Sequence, residues 1–374
     1  MSDETMRLPG DAQEDVAPQE EHRYTSQESL RAGKRKRIVI GVILAAIAVI
    51  ALAAIAFASF LNAGKGSLVK ADTGDAKTVE HQGVTYRLKD NMASICVIGS
   101  DFENGGEHLD GFNGQADATM VVALDTETGE AACIAIPRNS MVDVNLQHGG
   151  DFRGTKRMQI CLAYALGEDD EEGGELMCTT VSRLLYNIPI EHYYTISISG
   201  FDALTDAIGG VEVEALEDIP YTDIKKGDVV TLHGADGGEQ IVFDSEDVNW
   251  TGGTAAWYVR YRDMHEMNSP LARQAREQQF VRAFASQALE AAKSNPSVIT
   301  DLYNTAAEYS TTNLEASEFA YLASVLTEHG IGTINLITLE GEMTFNDESE
   351  WEQYIIDRDA LYQTVLDVYY EPVE

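Results

Sequence analysis

Residues Asp117–Asn139 read DATMVVALDTETGEAACIAIPRN. Two apolar runs, Thr119–Leu124 and Glu130–Ile136, flank Asp125-Thr126-Glu127-Thr128-Gly129. Turn-forming residues between two strand-like runs predict a β-hairpin. A hairpin brings the start of its first strand beside the end of its second, so Asp117 is expected near Arg138. Just upstream, Ser94–Ile98 (SICVI) is a short unbroken apolar run of the kind buried strands show, and it stops at Gly99-Ser100-Asp101. If that strand runs parallel to the second hairpin strand, Asp101 joins Asp117 and Arg138 at one sheet edge. The carboxyl ends of strands in open α/β sheets are where ligands usually bind.

Downstream, Met158, Cys161, Leu162 and Ala165 share one helical face, as do Met177, Val181, Leu184 and Leu185, which predicts two amphipathic helices. Between them the run Glu168–Glu172 (EDDEE) with Gly173-Gly174 reads as a solvated acidic loop; it lacks EF-hand spacing, so a calcium site is the weaker reading. His192–Ser199 reads as a strand, Gly200–Ile208 as a helix closed by Gly209-Gly210, and Val211–Glu214 and Thr333–Ile337 as further strands. Segments 298–307, 315–326 and 351–370 are expected to be helical. Alternating strands and helices point to a layered α/β/α domain. Cys161 and Cys178 fall on the two neighbouring helices, where a disulfide could staple the acidic loop, while Cys96 and Cys133 lie in apolar strand runs and read as core residues.

Charge divides the chain. It carries 26 Lys and Arg against 62 Asp and Glu, a formal net charge of −36. That balance argues against nucleic-acid binding, which needs a basic surface. Residues 1–37 hold eight acids and seven bases and read as a disordered tail. Ile38–Leu61 then runs 24 residues without a charge. As a helix at ~1.5 Å per residue it is long enough for a hydrocarbon core of about 30 Å. A transmembrane helix is therefore expected over 38–61. Arg31, Lys34, Arg35, Lys36 and Arg37 abut its N-terminal end, so the positive-inside rule puts the N-terminus in the cytoplasm and the rest outside. Residues 62–83 read as a stalk and 84–374 as the extracytoplasmic domain. That outer part keeps 54 acids and 19 bases, so an anionic ligand would need a local cationic site.

Arg260 and Arg262 stand two apart in WYVRYR, read here as an extended segment that points both to one face. From Leu271 a helix is expected in which Arg273, Arg276, Glu277, Phe280 and Phe284 share a face. An apolar stripe that begins with arginines suggests a ligand pocket, although pairing with neighbouring carboxylates would also account for them. No HExxH zinc motif, GxSxG elbow or Walker loop occurs.

Seven segments in order resemble the motif set of the LytR-CpsA-Psr family: GSD at 99–101, GQADATM at 114–120, IPRN at 136–139, RMQ at 157–159, GFDALTDAIGGVEV at 200–213, VRYR at 259–262 and RQAREQQF at 273–280. The resemblance spans roughly residues 84–374 behind the single expected membrane helix. It implies an α/β/α sandwich with a mixed central sheet. It also implies a magnesium-dependent phosphotransferase that moves a glycopolymer phosphate from a polyprenyl pyrophosphate carrier onto peptidoglycan at the cell membrane. By position, Asp101 and Asp117 resemble the family's magnesium-linked aspartates. Arg138, Arg157, Arg260, Arg262, Arg273 and Arg276 correspond to its pyrophosphate-binding basic positions. With Asp101, Asp117 and Arg138, Glu277 is a catalytic candidate, either in the metal shell or as a base for the incoming hydroxyl. The family commonly has Arg where Gln115 stands, Asp where Asn139 stands and Gln where Glu277 stands. A protein on the same fold that binds polyprenyl pyrophosphate with little or no turnover, or that regulates envelope assembly, is the alternative.

Overall fold

Along the strand Ala116–Asp125, Val121 and Ala123 are fully buried in one apolar cluster, while Met120 and Leu124 enter others on the opposite side. A period of two with both sides apolar is the pattern of a strand covered on both faces. The computed structural model describes residues 55–69, 77–100, 114–148, 151–244, 249–263, 269–329, 334–346 and 351–373. The chain forms two compact units, Met1–Phe60 and Leu61–Glu374.

The elements follow in order. Residues 55–68 form helix α1. Strands β1 (Thr78–His81), β2 (Val84–Leu88), β3 (Met92–Ser100), β4 (Ala116–Asp125) and β5 (Ala131–Ala135) come next. A hairpin of β6 (Met141–His148) and β7 (Asp151–Gln159) leads into helices α2 (Cys161–Ala165) and α3 (Asp170–Leu184). Then come β8 (His192–Ile196), α4 (Ile198–Ala207), β9 (Val211–Glu214), β10 (Val229–Leu232), β11 (Gln240–Asp244) and β12 (Asn249–Gly253). Helices α5 (Thr254–Arg260), α6 (Ser269–Ser294) and α7 (Ser297–Tyr309) precede β13 (Ser310–Thr312) and α8 (Ala316–His329). Strands β14 (Ile334–Thr338), β15 (Gly341–Asn346) and β16 (Trp351–Ile356), helix α9 (Arg358–Tyr369) and β17 (Tyr370–Pro372) complete the described chain.

The central sheet has six strands in the order β13-β8-β3-β4-β5-β14. It is mixed: β3 pairs parallel with β8 and β14 parallel with β5, while β3–β4, β4–β5 and β8–β13 are antiparallel. Helices cover both faces. Cys96, Ile98, Val121 and Ile134 pack with Met177 and Val181 of α3 and Leu361 and Val365 of α9. On the other face Met120, Cys133 and Ala135 meet Val281 of α6, and Ala93 and Leu124 meet Tyr321 and Val325 of α8. At ~25 cal/mol per Å² of apolar surface removed from water, this two-sided burial is the main force holding the layers.

The predicted 119–136 hairpin is present as β4–β5, with Met120 opposite Ala135 and Gly129 at φ 74° closing the turn. Several expectations need correction. The acidic run is largely helical: Asp169 caps α3 by accepting from the Glu172 N–H at 2.8 Å, and Asp170, Glu171 and Glu172 form the first turn, where carboxylates complement the helix dipole. Met158 belongs to β7, which leaves only Cys161–Ala165 for the preceding helix. Trp257–Arg260 is the end of helix α5, closed by the Tyr261 N–H donating to Trp257 O at 2.9 Å, so Arg260 and Arg262 do not share a strand face. Segment 351–370 is a strand followed by a helix, divided by Asp357, whose carboxylate accepts from the N–H groups of Asp359 and Ala360. All four cysteines are free, so Cys161 and Cys178 form no staple; the Cys178 thiol donates to His192 O.

The expected stalk is structured at both ends. Leu68 packs with Ala93, Leu124 and Tyr321, and β1 pairs with β2. Among the described residues no helix is long and apolar enough to cross a membrane. Of the expected span, 38–54 lie outside the described residues, as does all of the tail 1–37, and 55–61 are helical, with Ile55 and Phe57 exposed.

Candidate active site

The β4–β5 hairpin delivers the pair that its register demands. Arg138 Nη1 lies 2.5 Å from Asp117 Oδ1, and both side chains are about three-quarters buried. Arg138 Nη2 donates to Gln115 Oε1 at 2.7 Å and stands 4.0 Å from Cys161 Sγ. Gln115 therefore carries no charge but braces the arginine beside it. Burial pushes the Cys161 thiol upward, and the nearby Arg138 charge opposes that only in part, so Cys161 stays a protonated, buried neighbour of Arg138.

Helix α6 supplies the other half. The stripe predicted from Arg273 onward faces inward, with Arg273, Arg276 and Phe280 buried. Arg273 Nη2 donates to the backbone oxygen of Asp117 at 3.3 Å, and its Nε lies 3.4 Å from Glu277 Oε1, one turn along. Burial raises the Glu277 carboxyl to about 7; Arg273 opposes the shift and Asp117 reinforces it.

Two adjoining cavities share Asp117, Ala118, Arg273 and Glu277. The larger runs inward between apolar side chains that include Val97, Met120, Ile196, Phe201, Val259 and Val281, and Arg260 also lines it. The Arg260 guanidinium stacks over the Trp250 ring, 4.7 Å from its centroid. The smaller is lined by Arg138 and Asn139 on one side and Met343 of β15 on another. The charged group thus stands in the shared wall, with an apolar recess on one side and a polar one on the other.

The remaining predicted residues are placed differently. Asp101 lies outside the described residues, and Ser100 before it lines the larger cavity. Arg262 is held at the flank by Glu352, Nη2 to Oε2 at 2.7 Å, and by Ser269 Oγ at 3.0 Å from its Nε. Arg157 is exposed on β7, opposite Asp143, and lines neither cavity. Arg276 turns away: it donates to the carbonyls of Tyr258 and Tyr261 and pairs with Glu217. Burial lowers its pKa to about 10, which leaves it charged and committed to tying α6 to α5. Glu352 is the participant the sequence did not disclose. Its neighbours Tyr354 and Ile356 are buried at a spacing of two, the strand signal available in WEQYII.

Among the described residues no group of three or more His, Cys, Asp and Glu side chains is placed to hold a metal. Asp117 and Glu277 nevertheless offer carboxylate oxygens in the cavity wall. Magnesium commonly takes one or two carboxylates and completes its shell with water and substrate phosphates, so this donor set fits it.

The LytR_cpsA_psr family model matches residues 58–365. The chain belongs to the LytR-CpsA-Psr family. The polyisoprenyl-teichoic acid–peptidoglycan teichoic acid transferase TagV of Bacillus subtilis is 26% identical over 307 residues, 82% of this chain and 71% of TagV. The transferase TagU of Halalkalibacterium halodurans is 29% identical over 183 residues, 48% of this chain and 54% of TagU. Among solved structures, that of B. subtilis TagV superposes with a TM-score of 0.56 at 23% identity, covering 75% of this chain and 98% of TagV. A structure of TagT bound to LI-WTA gives 0.52 at 18% identity, covering 74% of this chain and 89% of that one. These likenesses establish the common fold.

Proposed function

We propose that this chain is a membrane-anchored phosphotransferase that moves a glycopolymer phosphate from a polyprenyl pyrophosphate carrier to a hydroxyl of peptidoglycan. The observation that carries this reading is the wall between the two cavities, where Asp117, Arg273 and Glu277 line both the apolar recess and the polar one, and Arg138, paired with Asp117, lines the polar side. A ligand fitting both sides has an apolar tail and a polyanionic head. The names of TagV and TagU, which are teichoic acid transferases, support the same class of reaction.

In the reaction proposed, the acceptor hydroxyl attacks the phosphorus nearer the glycan. A new P–O bond to peptidoglycan forms, the bond to the bridging oxygen breaks, and polyprenyl phosphate leaves. Charge develops on the non-bridging and leaving oxygens, which Arg138 and Arg273 are positioned to neutralise. The Asp117 contact to Arg138 fixes that guanidinium before substrate arrives, so little reorganisation is needed during the reaction. Glu277, raised to about 7, accepts the hydroxyl proton. Asp101 and Asp117, with Glu277 adjacent, would hold a magnesium ion, which when bound supplies further positive charge to the pyrophosphate oxygens.

Incubating the full-length chain in detergent with magnesium and a glycan-linked polyprenyl pyrophosphate tests the reading. Release of polyprenyl phosphate is expected, and Arg138→Ala should slow it by about 100-fold or more. Tight binding without release from the wild-type chain would contradict it in favour of a binding or regulatory protein.

A further inference from the structure

The C-terminal hairpin β15–β16 is fastened to the strand end that carries Arg138. Tyr354 donates its backbone N–H to Asn139 O at 2.9 Å, and Ser140 and Tyr354 form a parallel bridge. Gln159 Nε2 donates to the backbone oxygen of Glu352 at 2.6 Å. Tyr354 is buried, and its hydroxyl donates to Leu339 O at 2.8 Å. These contacts leave the Glu352 backbone little freedom and direct its side chain to the flank of the smaller cavity.

There one carboxylate oxygen joins two elements. Glu352 Oε2 accepts from Arg262 Nη2 at 2.7 Å and from Asn139 Nδ2 at 3.3 Å, and the Glu352 side chain is 31% exposed. Asn139 follows Arg138 directly, and Arg262 follows the cavity-lining Arg260 by two residues. A residue fixing Asn139 and Arg262 together sets the separation between the two arginine-bearing segments. Arg262 Nε is bonded to Ser269 Oγ at the start of α6, so the same chain of contacts reaches the helix that carries Arg273 and Glu277.

We propose that Glu352 is a positioning residue of the anion site. It clamps the Arg138 strand end to the Arg262 segment, so the C-terminal hairpin forms one side of the site for a prenyl pyrophosphate. The inference rests on the function proposed above for that site. Its chemistry depends on one negative and one neutral partner. The amide of Asn139 donates to Glu352, whereas an aspartate there would face a second carboxylate at that spacing and force the pair apart.

A charge-swap cycle on the full-length chain tests this, reading the Kd of geranylgeranyl pyrophosphate with magnesium, KM and kcat for the glycan-linked carrier, and thermal midpoints. Glu352→Gln and Asn139→Asp should each raise Kd and KM about tenfold, with kcat changing far less. The double variant Asn139→Asp/Glu352→Gln removes the carboxylate–carboxylate repulsion but leaves Arg262 without its carboxylate, so its penalty should stay well below the sum of the two single penalties without vanishing. An unchanged Kd in Glu352→Gln, with or without a lowered midpoint, overturns the proposal, as do two penalties that simply add in the double variant. If the wild-type chain binds no prenyl pyrophosphate, the function reading fails and this inference with it. If the wild-type chain binds it, and Arg138→Ala does not while the swap variants match wild type, this inference alone fails.

Discussion

Glu277 concentrates the pH behaviour of the site in one side chain. Its folded-state pKa of about 7 stands above the ordinary 4.5, because burial disfavours the carboxylate more than Arg273 favours it. The folded protein therefore holds that proton more tightly than the unfolded chain does. The resulting stabilisation is complete below about 4.5 and is lost as pH rises through about 7. Glu277→Gln lacks this dependence, so its stability relative to wild type should rise between pH 5 and pH 8 by on the order of 2 kcal/mol, measured by urea denaturation. A base must be ionised to act, so wild-type kcat should rise with pH through the same region. Glu277→Gln should be about 100-fold slower and flat there; undiminished turnover would remove Glu277 from the chemistry. Arg273→Ala deletes the cation opposing the shift, and the midpoint of any residual pH–rate profile should move upward.

At the scale of elements, a local signal separated what could be read from what could not. The β4–β5 hairpin was legible because its turn and both strands are contiguous, and that alone brought Asp117 to Arg138. The inward stripe of α6 was legible for the same reason, a repeat of three and four residues within one helix. Trp257–Arg260 and 351–356 depart from the expected strand and helix because tertiary pairing outweighs their local pattern. The small residues Ala255 and Ala256 are fully buried where α5 packs, and β16 is a strand by virtue of β15 and its bridge to Ser140. The destination of Arg276 was equally hidden: spacing put it on the correct face, but only the approach of Tyr258 and Tyr261 turned its guanidinium from the cavity. Glu352, more than two hundred residues from Asn139, carried no local mark of its role. The strand-to-helix break at Asp357 does carry a local signal, an aspartate in the N-cap position ahead of an apolar helical repeat. Asp357→Ala removes the cap of α9 and should cost about 1 kcal/mol in chemical denaturation, with little change in KM.

Over the whole molecule the net charge of −36 sets a repulsive field against which the arginine cluster works. Screening like charges favours the compact state, so the thermal midpoint should rise as NaCl goes from ~10 mM to ~300 mM, where the Debye length becomes shorter than the domain. A midpoint that fell with salt would show attractive pairs, not net repulsion, dominating the surface. In that field the anionic head of the proposed lipid substrate depends on local cations, which the arginine-bearing wall beside the apolar recess supplies. In the proposed transfer the phosphate nearer the glycan passes to peptidoglycan while the other stays with the lipid. The most direct measurement supplies the full-length chain with a carrier bearing ³²P only at the glycan-proximal phosphate, together with peptidoglycan. The label should appear in the peptidoglycan fraction with wild type and be largely absent with Arg138→Ala. Label remaining on the prenyl chain, or released as free phosphate, would rule out this transfer.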